Sequence, residues 1–322
     1  MASTEIRLIR HPDGVTTVDA EYVHPGFASV HVLQRDGKAA LIDSGTNSSV
    51  PHILGALQQL GIALADVELL FVTHVHLDHA GGTGLLVQHL PNARVVAHPR
   101  AVPHLEDPAR LESATIAVYG QQAYEQMYGK LVPVPRARIS ETRDGDRCPL
   151  GATELTVLHT PGHALHHHVL FDPRASVLFT GDTFGLSYPE LTTERGPYIL
   201  PTTTPTQFDP EQLIATIERL AALQPASIYL THFGRVTDAP RLARALREQI
   251  EAFVQIARDN AGGTDRHASI KAELRGLLVA RLTAHGVSAP EAAVDRVLGA
   301  DLELNAQGLV AWLEREEKAK RS

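Results

Sequence analysis

The sequence predicts a layered α/β fold over residues 1–240, followed by a helical region over 241–322. Three patterns carry that expectation. Short apolar, β-branched runs alternate with amphipathic helical stretches up to about residue 235, as in sheets covered by helices. Several of those runs feed a His or Asp into a polar loop. From Arg241 onward the apolar spacing is helical almost without a break. With 322 residues, 43% of them hydrophobic and 20% charged, the chain can bury a large core, which excludes wholesale disorder.

Taken in order, residues 29–45 read as two strands joined by a hairpin turn at Asp36-Gly37. Residues 50–62 form an amphipathic helix ending near Gly61. Residues 67–74 (VELLFVTH) are apolar almost throughout, a strand buried on both faces, and 93–99 are another. Residues 101–140 interrupt the strands as a helical insertion, with Tyr124 and Tyr128 four apart on one face and 111–131 reading as one helix. Strands at 154–159 and 176–181 run into loops, and 183–210 is a Pro/Thr-rich stretch with little periodicity. A helix at 209–223 and a strand at 227–230 close this part, and helices fill 241–260, 269–286, 290–300 and the segment through Trp312. The expected division is a catalytic domain over 1–240 and a helical C-terminal region over 241–322.

Composition narrows the function. The formal net charge is −8, which argues against a nucleic-acid surface. Residues 241–322 carry 13 Lys+Arg and 12 Asp+Glu, so the negative excess lies in 1–240. Cys148 stands alone and can make no internal disulfide; it is expected to be a buried structural thiol in a reducing compartment. The N-terminal residues show no long apolar run, and no 18 apolar residues are consecutive. The expectation is a cytoplasmic protein without signal peptide or membrane partner.

Eighteen histidines is a high count, and several are clustered. His74, His76, Asp78 and His79 fall within six residues directly after a buried strand. Two metals a few ångströms apart suit that spacing better than one. His163, Asp182 and His232 each follow a strand. Singly, such residues are more often structural. Together with the first four they make five imidazoles and two carboxylates, enough for two metals that share a carboxylate. His166, His167 and His168 read as a strand entry with alternating exposed and buried rings, the alternative being that one of them supports a ligand from behind or contacts substrate, and His159 reads as structural.

These motifs, HVHLDH (74–79), HTPGH ending at His163, TGDTF containing Asp182 and THFG containing His232, with Asp43 in LIDSG, resemble the metallo-β-lactamase-fold hydrolases over residues 15–235. The resemblance implies an αββα sandwich. It implies that His74, His76 and His163 bind one metal, that Asp78, His79 and His232 bind the second, and that Asp182 bridges. Asp43 would orient ligands from behind. Asp78 and Asp182 would act in catalysis. Zinc suits the donors, with iron or manganese as alternatives.

The glyoxalase II and lactonase branch shares this ligand set. The expected function is a dinuclear metal-dependent hydrolase of a small ester, thioester or lactone, using a metal-bridging hydroxide. The alternative is an iron-dependent oxygen or sulfur oxidoreductase on the same scaffold. The 183–210 stretch leaves from Asp182, so Phe184, Tyr188 and Tyr198 are candidates to contact substrate. Apolar stripes at Leu242, Ala245, Leu246, Ile250 and Phe253, and at Ile270, Leu274, Leu277, Leu278 and Leu282, need partners. They are expected to pack on their own chain and to support a homodimer.

Overall fold

Alternation along each strand decides which face it buries. In the computed structural model, which describes residues 6–203 and 207–321 with the side chains of 118 and 119 also outside the described set, a first sheet is built from seven strands in chain order. They are β1 (Leu8–Arg10), β2 (Val15–Asp19), β3 (Ser29–Arg35), β4 (Lys38–Ile42), β5 (Val67–Phe71), β6 (Arg94–Ala97) and β7 (Ile139–Glu141). The first four are antiparallel, and β4 to β7 run parallel. The β3–β4 turn is the expected Asp36-Gly37, both residues at positive φ as this tight hairpin needs.

A second sheet has the order β13-β12-β11-β10-β9-β8. Its strands are β8 (Arg147–Leu150), β9 (Thr153–His159), β10 (His168–Asp172), β11 (Val177–Gly181), β12 (Ser227–Leu230) and β13 (Gly234–Val236). One set of alternate residues, including Leu33, Ile42 and Phe71, meets Val157, Leu170 and Phe179 between the sheets. The other set, including Val32, Leu41 and Leu70, packs against helices on the outer face of the first sheet. The strand expected to be buried on both faces, β5, serves both cores.

The helices on that outer face are α1 (Val50–Gln59), α2 (Leu77–Ala80), α3 (Thr83–His89), α4 (Val102–Glu106), α5 (Ala109–Tyr119) and α6 (Gln121–Met127). The single helix expected over 111–131 is broken at Gly120, whose φ of +83° no helix accommodates. Tyr124 and Tyr128 are buried in the core of this face. Within α3, a Cβ on Gly84 would lie 1.8 Å from the Val132 carbonyl oxygen. Gly84→Ala must therefore push backbone away from backbone. Urea unfolding is expected to show a loss of about 1–3 kcal/mol; an unchanged midpoint would mean that this close approach is not real.

The chain divides into two compact units. One comprises Met1–His159, His166–Gly181 and Ala226–Arg235; the other comprises Thr160–Leu165, Asp182–Pro225 and Val236–Ser322. The second unit holds α7 (Pro210–Ala222), α8 (Ala239–Asp259), α9 (Arg266–His285), α10 (Pro290–Val297) and α11 (Gly299–Arg321). Asp209, Asp238 and Asp265 cap α7, α8 and α9 by accepting a backbone N–H from the first turn. Leu242, Leu246, Ile250 and Phe253 of α8, and Ile270, Leu274, Leu278 and Leu282 of α9, are buried within the chain itself; Ala245 and Leu277 are half-buried. Part of the 183–210 stretch packs on these helices. Thr203 N–H donates to Asn305 at 2.7 Å, and the His285 ring donates to the Gly196 carbonyl at 3.0 Å. Residues 204–206 of that stretch lie outside the described residues. Among the described residues no helix is long and apolar enough to cross a membrane.

Candidate metal centre

The histidine-rich loop leaves β5 at Val72, and its geometry is set from behind by one carboxylate. Asp43 follows β4, is fully buried and holds φ at +63°. It accepts the Thr73 backbone N–H at 2.8 Å, the Thr73 hydroxyl at 2.9 Å, the His79 Nδ1–H at 2.8 Å and the Thr231 hydroxyl at 2.9 Å. A buried carboxylate needs several donors, and this one has them. Because the Thr73 hydroxyl proton goes to Asp43, its oxygen is left to accept from His74 Nδ1 at 3.1 Å. One anion thus fixes the tautomers of two rings, and in both the lone pair is on Nε2.

His232, after β12, is fixed the same way. Its Nδ1–H donates to the Phe27 carbonyl at 2.9 Å, and its Nε2 lies 3.2 Å from Asp78 Oδ2. His79 Nε2 is 3.8 Å from the same oxygen. Asp78, His79 and His232 therefore offer one donor atom each within 4.8 Å of one another. In the second unit, His163 Nδ1–H donates to the Thr202 carbonyl at 3.2 Å, and its Nε2 lies 3.4 Å from Asp182 Oδ2. Asp182 follows β11, and its side chain is 8% exposed.

The donor chemistry fits a cation. His74 Nε2 and His76 Nδ1 are 2.7 Å apart. With His74 Nδ1 already a donor, its Nε2 carries a lone pair, so a cation or a proton must lie between the rings. Four imidazoles hold the tautomer a metal requires, each by donating its other nitrogen to an oxygen.

The three histidines after His163 depart from expectation. His166, His167 and His168 are all buried, with no exposed member. The His167 ring centroid is 4.8 Å from that of His74, and His166 is 5.7 Å from His76. His168 lies deeper, stacked on Phe71 at 4.3 Å, and donates from Nε2 to the Val72 carbonyl at 2.7 Å. Burial pushes its pKa down to about 3, and burial pushes that of His31 down to about 4. Both rings are neutral in the folded protein and titrate near 6.5 once unfolded. Between pH 6.5 and about 4 the unfolded chain takes up protons that the folded chain refuses. Stability is therefore expected to fall with falling pH in that window, by up to about 1.4 kcal/mol per pH unit for each ring, and these rings add no slope above it. Urea unfolding between pH 7 and pH 4.5 checks this. A His168→Gln variant should lose less than wild type over that range, and an equal loss would contradict the account.

Phe184, Tyr188 and Tyr198 are buried in the second unit. The Tyr188 hydroxyl donates to Asp301 at 3.3 Å and that of Tyr198 to Gln249 at 3.0 Å. Cys148 is half-buried rather than buried, and that burial pushes its thiol up to about 11. Thr73, Thr231 and the Phe27 carbonyl were not among the sequence candidates. Thr73 and Thr231, each just before a ligand-type histidine, had a signal that could have been used. A backbone carbonyl has none.

Comparison with known proteins follows the same lines. The sequence model of the metallo-β-lactamase superfamily matches residues 23–232. The chain is 27% identical over 262 residues to the metallo-beta-lactamase fold-containing protein ST1585 of Sulfurisphaera tokodaii, spanning 79% of this chain and 91% of that one. It is 26% identical over 228 residues to a hydroxyacylglutathione hydrolase of Aeromonas hydrophila, spanning 70% and 68%. The solved structure of the metallo-beta-lactamase family protein TTHA1429 from Thermus thermophilus superposes with a TM-score of 0.64, at 20% identity over 97% of this chain and 94% of that one. That last likeness shows a shared fold along almost the whole chain.

Proposed function

The chain belongs to the metallo-β-lactamase superfamily, and on that premise we propose that it is a metal-dependent hydrolase that cleaves a small ester, thioester or lactone with a pair of divalent cations. By the superfamily's motif pattern, His74, His76, His163 and Asp182 would hold one cation and Asp78, His79 and His232 the other, with Asp182 shared. The observation that carries this reading is the set of pre-oriented rings. His74, His79, His163 and His232 each donate the Nδ1 proton to an oxygen, which puts the lone pair a metal ligand needs on Nε2. None of the seven residues is a cysteine; zinc is the first metal to test, then iron and manganese.

When bound, such a pair lowers the pKa of a coordinated water to roughly 7 and polarises a carbonyl oxygen. The chain's own groups do the rest. Asp43 holds His79 directly and His74 through Thr73, so neither ring must reorganise during turnover. Asp78, whose side chain is 19% exposed against 8% for Asp182, is the carboxylate better placed to take a proton on the oxygen not committed to the cation and return it to a leaving oxygen or sulfur. Thioesters come first because a similar protein is a hydroxyacylglutathione hydrolase.

The test is a panel of aryl esters, S-acyl thiols and lactones, with the protein loaded with zinc, manganese or ferrous iron. Hydrolysis of one class, lost on chelation and restored by metal, supports the reading. Oxygen uptake by iron-loaded protein without hydrolysis would replace it with the oxidoreductase.

A further inference from the structure

Asp19 is a buried carboxylate that none of the chemistry above uses. It ends β2 and is 2% exposed. Its two oxygens accept the backbone N–H groups of Glu21 at 2.9 Å and Gly26 at 2.8 Å. Its third partner is Arg7, at 3.5 Å. Asp19 thus closes the loop of residues 20–28, whose ends meet where Ala20 N–H donates to the Ala28 carbonyl at 2.9 Å.

The loop is strained. Glu21, Val23 and Gly26 have φ of +50°, +61° and +83°. A β-branched residue such as Val23 avoids that region, and a backbone of this kind persists only where its surroundings over-determine it. The surroundings here are Asp19, the Glu21–His52 pair at 3.5 Å, and the Tyr22 and Tyr128 hydroxyls 2.6 Å apart.

The far end of the same loop reaches the site. The Phe27 carbonyl receives the His232 Nδ1–H, and the Phe27 ring stands edge-on to the imidazole with centroids 5.2 Å apart. Two residues on, Ser29 N–H donates to the Thr231 carbonyl at 2.8 Å. The loop and the strand end that carries His232 are therefore joined on both sides of that ring.

We propose that Asp19 is a positioning residue for the cation held by Asp78, His79 and His232. By clamping loop 20–28 in its strained form it presents the Phe27 carbonyl to His232, which keeps the proton on Nδ1 and Nε2 toward Asp78. The proposal rests on the reading that these three residues bind a cation. An asparagine at position 19 could accept with one oxygen only, its amide facing the second N–H donor. An alanine accepts nothing.

The experiment is a cobalt(II) titration of wild type, Asp19→Asn and Asp19→Ala, followed by visible absorption and calorimetry. One of the two binding steps should be unchanged. The other should weaken by about 10-fold in Asp19→Asn and by up to about 100-fold in Asp19→Ala. A second measurement needs no variant. Coupling is reciprocal, so in wild type the amides of residues 20–28 should gain protection from hydrogen exchange on one cobalt step only, the step that the variants weaken. That result, with Asp19→Asn, decides the matter if Asp19→Ala does not fold. The positioning role is overturned if wild type binds two cobalt ions and the variants match it, if both steps weaken equally, or if exchange of 20–28 ignores the metal. A wild type that binds fewer than two ions overturns the two-cation reading, and this proposal with it.

Discussion

Asp182→Ala is expected to lose both hydrolysis and the second metal ion. Asp182 leaves β11 directly after Gly181, whose φ is +49° and where a Cβ would lie 2.7 Å from the Thr73 hydroxyl and 2.9 Å from His167 Nε2. Its carboxylate lies 3.4 Å from His163 Nε2. A change behind a metal ligand costs roughly 10–100-fold in activity or metal affinity. Loss of a carboxylate proposed to serve two cations should exceed that, so turnover of the best panel substrate should fall by more than about 100-fold. The metal-free fold should survive, because alanine leaves no buried charge without its partner. Metal analysis is expected to give fewer than two ions per chain. Two tightly held ions in Asp182→Ala would contradict the shared carboxylate. His76→Ala and His163→Ala should likewise lose turnover.

The largest stability effect should come from Asp43→Ala. Removing that carboxylate strips an acceptor from the Thr73 N–H, the Thr73 and Thr231 hydroxyls and the His79 ring. Thr73, His79 and Thr231 are themselves buried. Each buried donor left unmade costs about 1–3 kcal/mol. Relaxation recovers part of that, so urea unfolding of metal-free Asp43→Ala should show a loss of about 3–5 kcal/mol. Metal affinity should also drop by more than about 10-fold, since the tautomers of His74 and His79 are both set by this group. A loss under about 1 kcal/mol would mean that Asp43 does not hold the loop as described.

What the sequence makes legible here is punctuation. A buried strand running into HVHLDH announces itself, because apolar residues and ligand-type residues change over within two positions. The hairpin at Asp36-Gly37 reads for the same reason, since few residues tolerate positive φ at both positions. Gly120 could have been read as a break, but the helical spacing on either side hid it. The burial of His166, His167 and His168 has no local cause, because it comes from what the fold lays over them. The pairing of Thr203 with Asn305 joins residues about a hundred positions apart, so the grouping of the 183–210 stretch with the C-terminal helices has no sequence signature. The Phe27 carbonyl that orients His232 is invisible because every residue has one.

The central claim is that two cations, held by His74, His76, Asp78, His79, His163, Asp182 and His232, make this chain a hydrolase. The most direct measurement titrates zinc into chelator-stripped protein while binding and hydrolysis of the best panel substrate are followed together. Binding that saturates at two ions per chain, with turnover rising to its plateau at the same point, is the predicted result. Full turnover at one ion per chain, or turnover that survives complete removal of metal, would contradict it.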